Sequence, residues 1–304
     1  MRLLKKTEAP EEERIGTWAD TGYSATDEQA HRNVVYEGTS SIKRIMWIFV
    51  SQMKLFSKNK WTFIMLFAAV LIPVLILGIP ELNDLLIQNT AGSTAYIGTV
   101  LCFMPVMMSF FTAFLCGTQI PNEFKDRTAY MSIPLPMRRI EFYIGKYLAG
   151  FVLCLGVFLM AFGFSVIMAM RHFDAFFSDQ IAEALASTVV AIFVFSATSF
   201  CVGCFMKRGS ALVPMLLMLF VLPMISFAVY AKYDIEEMLL MPCFLPDSIV
   251  FTLGGSPFSM AGTFAGLISP DALTANLGGM IGVGVVWGIA FLTLGAFRME
   301  RREM

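Results

Sequence analysis

Apolar residues in this chain arrive in long runs separated by short polar intervals. The stretches 61–79, 94–119, 147–170, 184–206, 211–231 and 273–297 are each almost wholly apolar. A helix needs about 20 residues to cross the hydrocarbon core of a bilayer, so the pattern predicts six transmembrane helices. The first run is expected to kink or hinge near Pro73, and Pro105, Pro214 and Pro223 also fall inside runs. Ahead of the first run the period changes. Over 41–60, Ile42, Ile45, Phe49, Met53 and Phe56 recur at three- and four-residue steps, and Lys43, Lys54, Lys58 and Lys60 fall mostly on other faces. That is the pattern of an amphipathic helix with basic flanks, suited to lying along an anionic cytoplasmic membrane surface. Residues 1–40 are polar and acidic with few aliphatics, and are expected to form a disordered cytoplasmic tail ahead of a membrane domain at 41–304. Before the last run, Pro242 and Pro246 bracket Cys243–Leu245, and "DSIVFTLGGSPFSMAGTFAGLIS" follows, apolar but too broken by glycine for a clean span. Short re-entrant or interfacial helices are expected there, since irregular backbone at membrane depth must be buried against protein or line a cavity. The fold class is therefore an all-α integral membrane protein.

Composition agrees with this reading. The chain is 57% hydrophobic and only 15% charged, against roughly 25% charged in soluble proteins. Net charge is −1, which gives no basic bias toward nucleic acid. The distribution of charge is more telling. Twenty of the 22 Lys and Arg fall in the first 60 residues, in 125–146, at Lys207 and Arg208, or at the C-terminal end, whereas the opposite side of a six-span topology carries only Arg171 and Lys232 beside ten acids. By the positive-inside rule both termini are cytoplasmic, in a multi-pass protein of the cell membrane.

Candidate chemistry is sparse. No GxxxxGK[ST] occurs, and "GKYLAG" at 145–150 has Tyr147 where a P-loop has Ser or Thr, so the chain is not expected to bind ATP itself. His31 and His172 are the only histidines, which gives no basis for a His-built metal or catalytic site. Cys102, Cys116, Cys154, Cys201, Cys204 and Cys243 lie mainly in apolar runs, and the CxxC at Cys201 and Cys204 lacks a partnering His or second CxxC, so packing is the expected role. No enzyme, cofactor or metal site is expected. The spans hold almost no ionisable groups, unlike an ion-coupled transporter, which keeps a carboxylate or His at depth. Hydroxyls such as Ser109, Thr112, Ser196, Thr198 and Ser199 are the main polar atoms in the spans.

The charged interval "NEFKDRTAYMSIPLPMRRIEFYIGK", Asn122 to Lys146, connects the second and third runs. Pro121 suits the first turn of a short helix, Asn122 and Glu123 suit its positive end, "PLP" at 134–136 breaks it, and "MRRIEFYIGK" restarts a helix into the third span. A short helix with Phe124 and Tyr130 exposed suits docking to a soluble partner, and an ordinary solvated loop carrying topology charges fits these residues equally well. The loop also resembles that of type-2 ABC exporter permeases, which follows the second of six spans and reads Glu-x-x-x-Gly-Thr, then a helix, a proline, a basic residue and Gly-Lys. Here Glu123, Thr128, Ser132, Pro134, Arg138 or Arg139, Gly145 and Lys146 match, and Arg127 stands where the family has glycine.

The resemblance extends over about 41–297 and implies a mechanism. The 122–146 loop would carry a coupling helix seated in a groove of a separate ATPase, with Glu123, Phe124, Arg127, Thr128, Tyr130, Ser132, Pro134, Arg138, Arg139 and Lys146 as the coupling residues. Two permease subunits, identical or different, and two ATPase subunits holding ATP and magnesium would form the exporter. The segment 241–269 would contribute to its outer gate. Gly278, Gly282, Gly284 and Gly288 in the last span have the spacing for close helix approach, within the subunit or between subunits. The Phe- and Met-rich spans suit a hydrophobic or amphipathic substrate. The alternatives are an ion-coupled transporter or channel, or a membrane scaffold without transport.

Overall fold

The computed structural model describes residues 40–79, 92–125, 138–173, 179–206, 241–255 and 277–301, with positions 84, 87, 88, 225, 228, 229 and 257. All regular elements among them are helical. Helix α1 is Ser41–Lys58 and α2 is Lys60–Gly78. Asn59 alone separates them, and its N–H still reaches the Phe56 carbonyl at 3.1 Å. Helix α2 occupies the first apolar run and continues through Pro73.

The second run is divided where a single span was expected. Helix α3, Ser93–Val100, ends in a turn at 101–103, and α4, Met104–Thr112, begins with Pro105 in its first turn. Proline cannot donate the backbone bond that would continue α3, but it fits a helix start. A π-helical turn at Ala113–Gly117 follows, then α5, Gln119–Lys125, with Pro121 in its first turn. The expected helix start at Pro121 is therefore present, but it carries on from the span. The expected helix beyond Lys125, the tail 1–39 and the fifth run at 211–231 fall almost wholly outside the described residues.

Helix α6, Arg139–His172, has 34 residues and α7, Asp179–Phe205, has 27. At ~1.5 Å per residue α6 is about 51 Å long, well over the ~30 Å hydrocarbon core, so its first turns project beyond the predicted span at 147–170. Helix α8, Leu245–Thr252, follows a 3-10 turn at Pro242–Phe244, and α9 is Leu277–Glu300. Among the described residues, four helical stretches are long and apolar enough to cross a membrane: Met104–Glu123, Arg139–His172, Asp179–Phe205 and Leu277–Glu300. The molecule is an α-helical membrane protein by length and composition of its helices.

The core sits where α6 and α7 meet the broken second run and α8. Tyr96, Tyr143, Phe162, Phe200 and Phe244 are its largest fully buried side chains. Helix α8 is buried nearly along its whole length, packed on α3, α4, α7 and α9. Its end is a Schellman motif: Gly254 has φ 76°, its N–H donates to the Phe251 carbonyl, and the Gly255 N–H donates to the Val250 carbonyl at 2.9 Å. Gly255 rests directly on Gly98 of α3. The span hydroxyls look inward to their own helices. Thr112 donates to the Met108 carbonyl at 2.8 Å and Ser199 to the Phe195 carbonyl at 2.7 Å, and Ser196 also pairs across helices, 3.2 Å from the Tyr147 hydroxyl. The cysteines form no disulfide among the described residues, and Cys116 and Cys154 are in Sγ–Sγ contact at 4.0 Å.

The last-span glycines divide. A Cβ on Gly284 would meet Val194 at 3.3 Å and one on Gly288 would collide with the Phe193 ring, so these two seat α9 on α7. At Gly278 and Gly282 a Cβ would meet nothing within 4 Å among the described residues.

Candidate docking base at the stems of the 122–146 loop

The charged loop leaves the bundle from α5 and returns through α6, and the two stems are joined. Glu123, in the last turn of α5, forms an ion pair with Lys146, two turns into α6. The Lys146 side chain is 3% exposed and that of Glu123 is 21% exposed. An ammonium removed from water is costly unless an anion and further contacts replace its hydration. Glu123 supplies the anion, and the Phe142 ring adds a face 4.7 Å from Nζ.

Gly145, the residue before Lys146, has a different task. A Cβ there would stand 2.8 Å from the Ile48 Cβ and 3.0 Å from the Ile45 carbonyl oxygen, so glycine lets α1 lie across α6 at contact distance. Helix α1 buries Ile48, Gln52 and Phe56 on that side. The crossing is fixed by a second ion pair, in which Arg44 donates from Nε to Glu141 Oε2 and from Nη2 to Glu141 Oε1, both at 2.9 Å. A two-pronged guanidinium–carboxylate pair sets orientation as well as charge. Arg44 Nη2 also donates to the Ser41 hydroxyl at 3.2 Å, which ties the first turn of α1 to the same group.

Glu141 serves α6 as well. Its Oε2 accepts the backbone N–H of Arg138 at 3.3 Å, in the Ncap-to-N3 geometry that closes a helix start. Glu141 lies in the projecting first turn of α6, outside the predicted span. Burial there disfavours its charged form, yet the bonds from Arg44, Ser41 and the Arg138 backbone, with the Arg44 charge, hold its carboxyl below the usual carboxylate range. Arg139 reaches across to α9, where its Nη1 donates to the Glu300 carbonyl at 3.1 Å, a cation at a helix C-terminus. Arg138 is exposed at the rim.

Of the coupling residues expected from the sequence, Glu123 and Lys146 come together directly, and Arg138 and Arg139 mark the start of the returning stem. The side chain of Phe124, and Arg127, Thr128, Tyr130, Ser132 and Pro134, lie outside the described residues. Arg44 and Glu141 were not anticipated from the sequence. The spacing of Glu141 three residues after Arg138 is a helix-start signal that could have marked one of them, but no local pattern links it to a residue 97 positions away. Asp247 was anticipated only as one of the acids on the opposite side, and it is 4% exposed within α8. Among the described residues no three His, Cys, Asp or Glu side chains gather as a metal site. The arrangement offers mechanical connection: two stems and one crossing helix held at a single base. No family model, no curated protein and no solved structure matches this chain.

Proposed function

We propose that this chain is the permease subunit of an ATP-binding cassette exporter, a six-span protein of the cell membrane with both termini cytoplasmic. The observation that carries this reading is the Glu123–Lys146 pair at the root of the 122–146 loop. Both residues belong to the pattern by which the loop resembles the coupling loop of type-2 ABC exporter permeases. Their pairing gives that pattern a physical purpose, because a loop that transmits force needs stems that move as one body. The charge distribution, which puts this loop on the side rich in Lys and Arg, and the lack of a P-loop in the sequence support the reading further.

The proposed cycle uses two permeases and two separate ATPase subunits. ATP and magnesium bind in the ATPase chains, whose closure moves both loops. The joined stems carry that motion into α5 and α6, and the spans shift largely as rigid bodies to open a path outward. A hydrophobic or amphipathic substrate suits the apolar spans. The test is purification of the tagged chain in mild detergent, with its neighbours identified by mass spectrometry. A P-loop ATPase in near-equal amount is the expected result, and an ATPase-free preparation from every detergent tried would end this reading.

One observation favours a second reading. Asp247 is a carboxylate buried in α8, 4% exposed, and a buried ionisable group at membrane depth is the mark of an ion-coupled transporter. Transport by Asp247→Asn separates the two: loss of dependence on a proton or sodium gradient supports ion coupling, and ATP-dependent transport at the wild-type rate supports the exporter.

A further inference from the structure

Helix α1 has two dissimilar faces. The inner one, with Ile48, Gln52 and Phe56, is buried, and α1 crosses α6 at Gly145. The outer one carries Trp47, 81% exposed, with Val50 and Met46 beside it. Lys43, Lys54 and Lys58 are exposed on the same side of the helix. An indole set among lysines matches the headgroup level of a bilayer, where the ring sits at the polar boundary and each ammonium meets a phosphate. The charge is all of one sign: among the described residues of α1 there is no Asp or Glu. The same helix is bolted to the loop base, since Arg44 grips Glu141 with both prongs and Glu141 holds the Arg138 N–H at the point where the loop returns.

We infer that α1 is a sensor of anionic lipid whose contact with the headgroups is transmitted through Arg44 and Glu141 to the 122–146 loop. The consequence for an ATPase rests on the function proposed above, whereas the lipid response itself does not. Attraction to an anionic leaflet grows roughly fivefold per lysine brought to the surface. A helix drawn onto the headgroups by Lys43, Lys54 and Lys58 fixes Arg44, and through it the first turn of α6. A neutral leaflet leaves α1 held by its inner face alone, and the loop base is correspondingly looser.

The experiment is hydrogen–deuterium exchange of the purified full chain in nanodiscs of phosphatidylcholine, with and without one part in three of phosphatidylglycerol. In the wild type, the anionic lipid is expected to slow exchange severalfold in peptides covering 41–58 and in peptides covering 126–137. Lys43→Glu, Lys54→Glu and Lys58→Glu together should abolish both responses. Arg44→Gln should keep the response of 41–58 and lose that of 126–137. Arg44→Lys keeps the charge and loses the second prong, so it should halve the loop response even if Arg44→Gln does not fold. Equal exchange in the two lipids overturns the proposal, as does a loop response that survives in Arg44→Lys at full size. Slowing of 41–58 that needs an added ATPase and no anionic lipid assigns this face to a protein and also overturns it. None of these readings requires an ATPase to copurify, so failure of the exporter assignment and failure of lipid sensing are separate results.

Discussion

Glu141 shows how one side chain can hold two elements. It closes the first turn of α6 through the Arg138 N–H and anchors α1 through Arg44. Arg44→Ala would strand a carboxylate whose residue is 5% exposed, at a cost of about 3 kcal/mol, since breaking a buried pair costs more than the pair itself contributes. Unfolding in detergent should show this loss, and the Arg44→Ala, Glu141→Gln double-mutant cycle should show strong coupling. The pair also has a pH signature. The Glu141 carboxyl is held below its ordinary value, so the folded state binds fewer protons than the unfolded one. Its contribution is therefore present above the usual carboxylate range of about 4 and is lost as pH falls through the depressed value. The difference in thermal stability between wild type and Glu141→Gln should be full at pH 7 and close below about pH 4. A difference that stays constant across that range would contradict this account of Glu141.

At the scale of elements, the α1–α6 crossing depends on the absence of a side chain. Gly145→Leu would drive a branched group into Ile48 and the Ile45 carbonyl, with an overpacking cost of about 1–3 kcal/mol. The expected result is that α1 detaches while the spans persist. Limited proteolysis should cut at Lys54 and Lys58 faster than in the wild type, with helix content by circular dichroism almost unchanged. The loop stems give a cleaner functional contrast. Arg138 is exposed, but Arg139 bonds the Glu300 carbonyl. Arg138→Glu should uncouple ATP hydrolysis from transport in the proposed complex without loss of stability. Arg139→Glu should also lower the melting temperature by loosening the end of α9. Transport at the wild-type rate in Arg138→Glu would remove Arg138 from the coupling surface.

For the whole molecule, the prediction concerns assembly. If the proposed complex forms as described, proline substitutions within 124–131 should leave membrane insertion intact and abolish retention of the ATPase in pull-downs, because insertion is decided by the apolar runs and, in that proposal, docking by the loop. Retention at the wild-type level would place the contact elsewhere on the chain. The helical character of the chain and its long apolar helices were legible, because both follow from local apolar content. The break at 101–103 was not anticipated: a single span was expected through Pro105, and the tight contact of Gly98 with Gly255 was invisible.

The sequence by itself determined that the chain is helical and carries apolar helices long enough to cross a membrane, because both depend on the hydropathy of contiguous residues. The resemblance of the 122–146 loop grouped Glu123, Gly145 and Lys146 as one pattern. Only the tertiary structure decided what each does: Glu123 neutralises Lys146, and Gly145 admits α1. The Arg44–Glu141 pair, the burial of Asp247 and the division of the last-span glycines between packed and open positions belong to the structure as well. Each depends on which helices come to lie beside one another, and a local period carries no information about neighbours that are about a hundred residues apart.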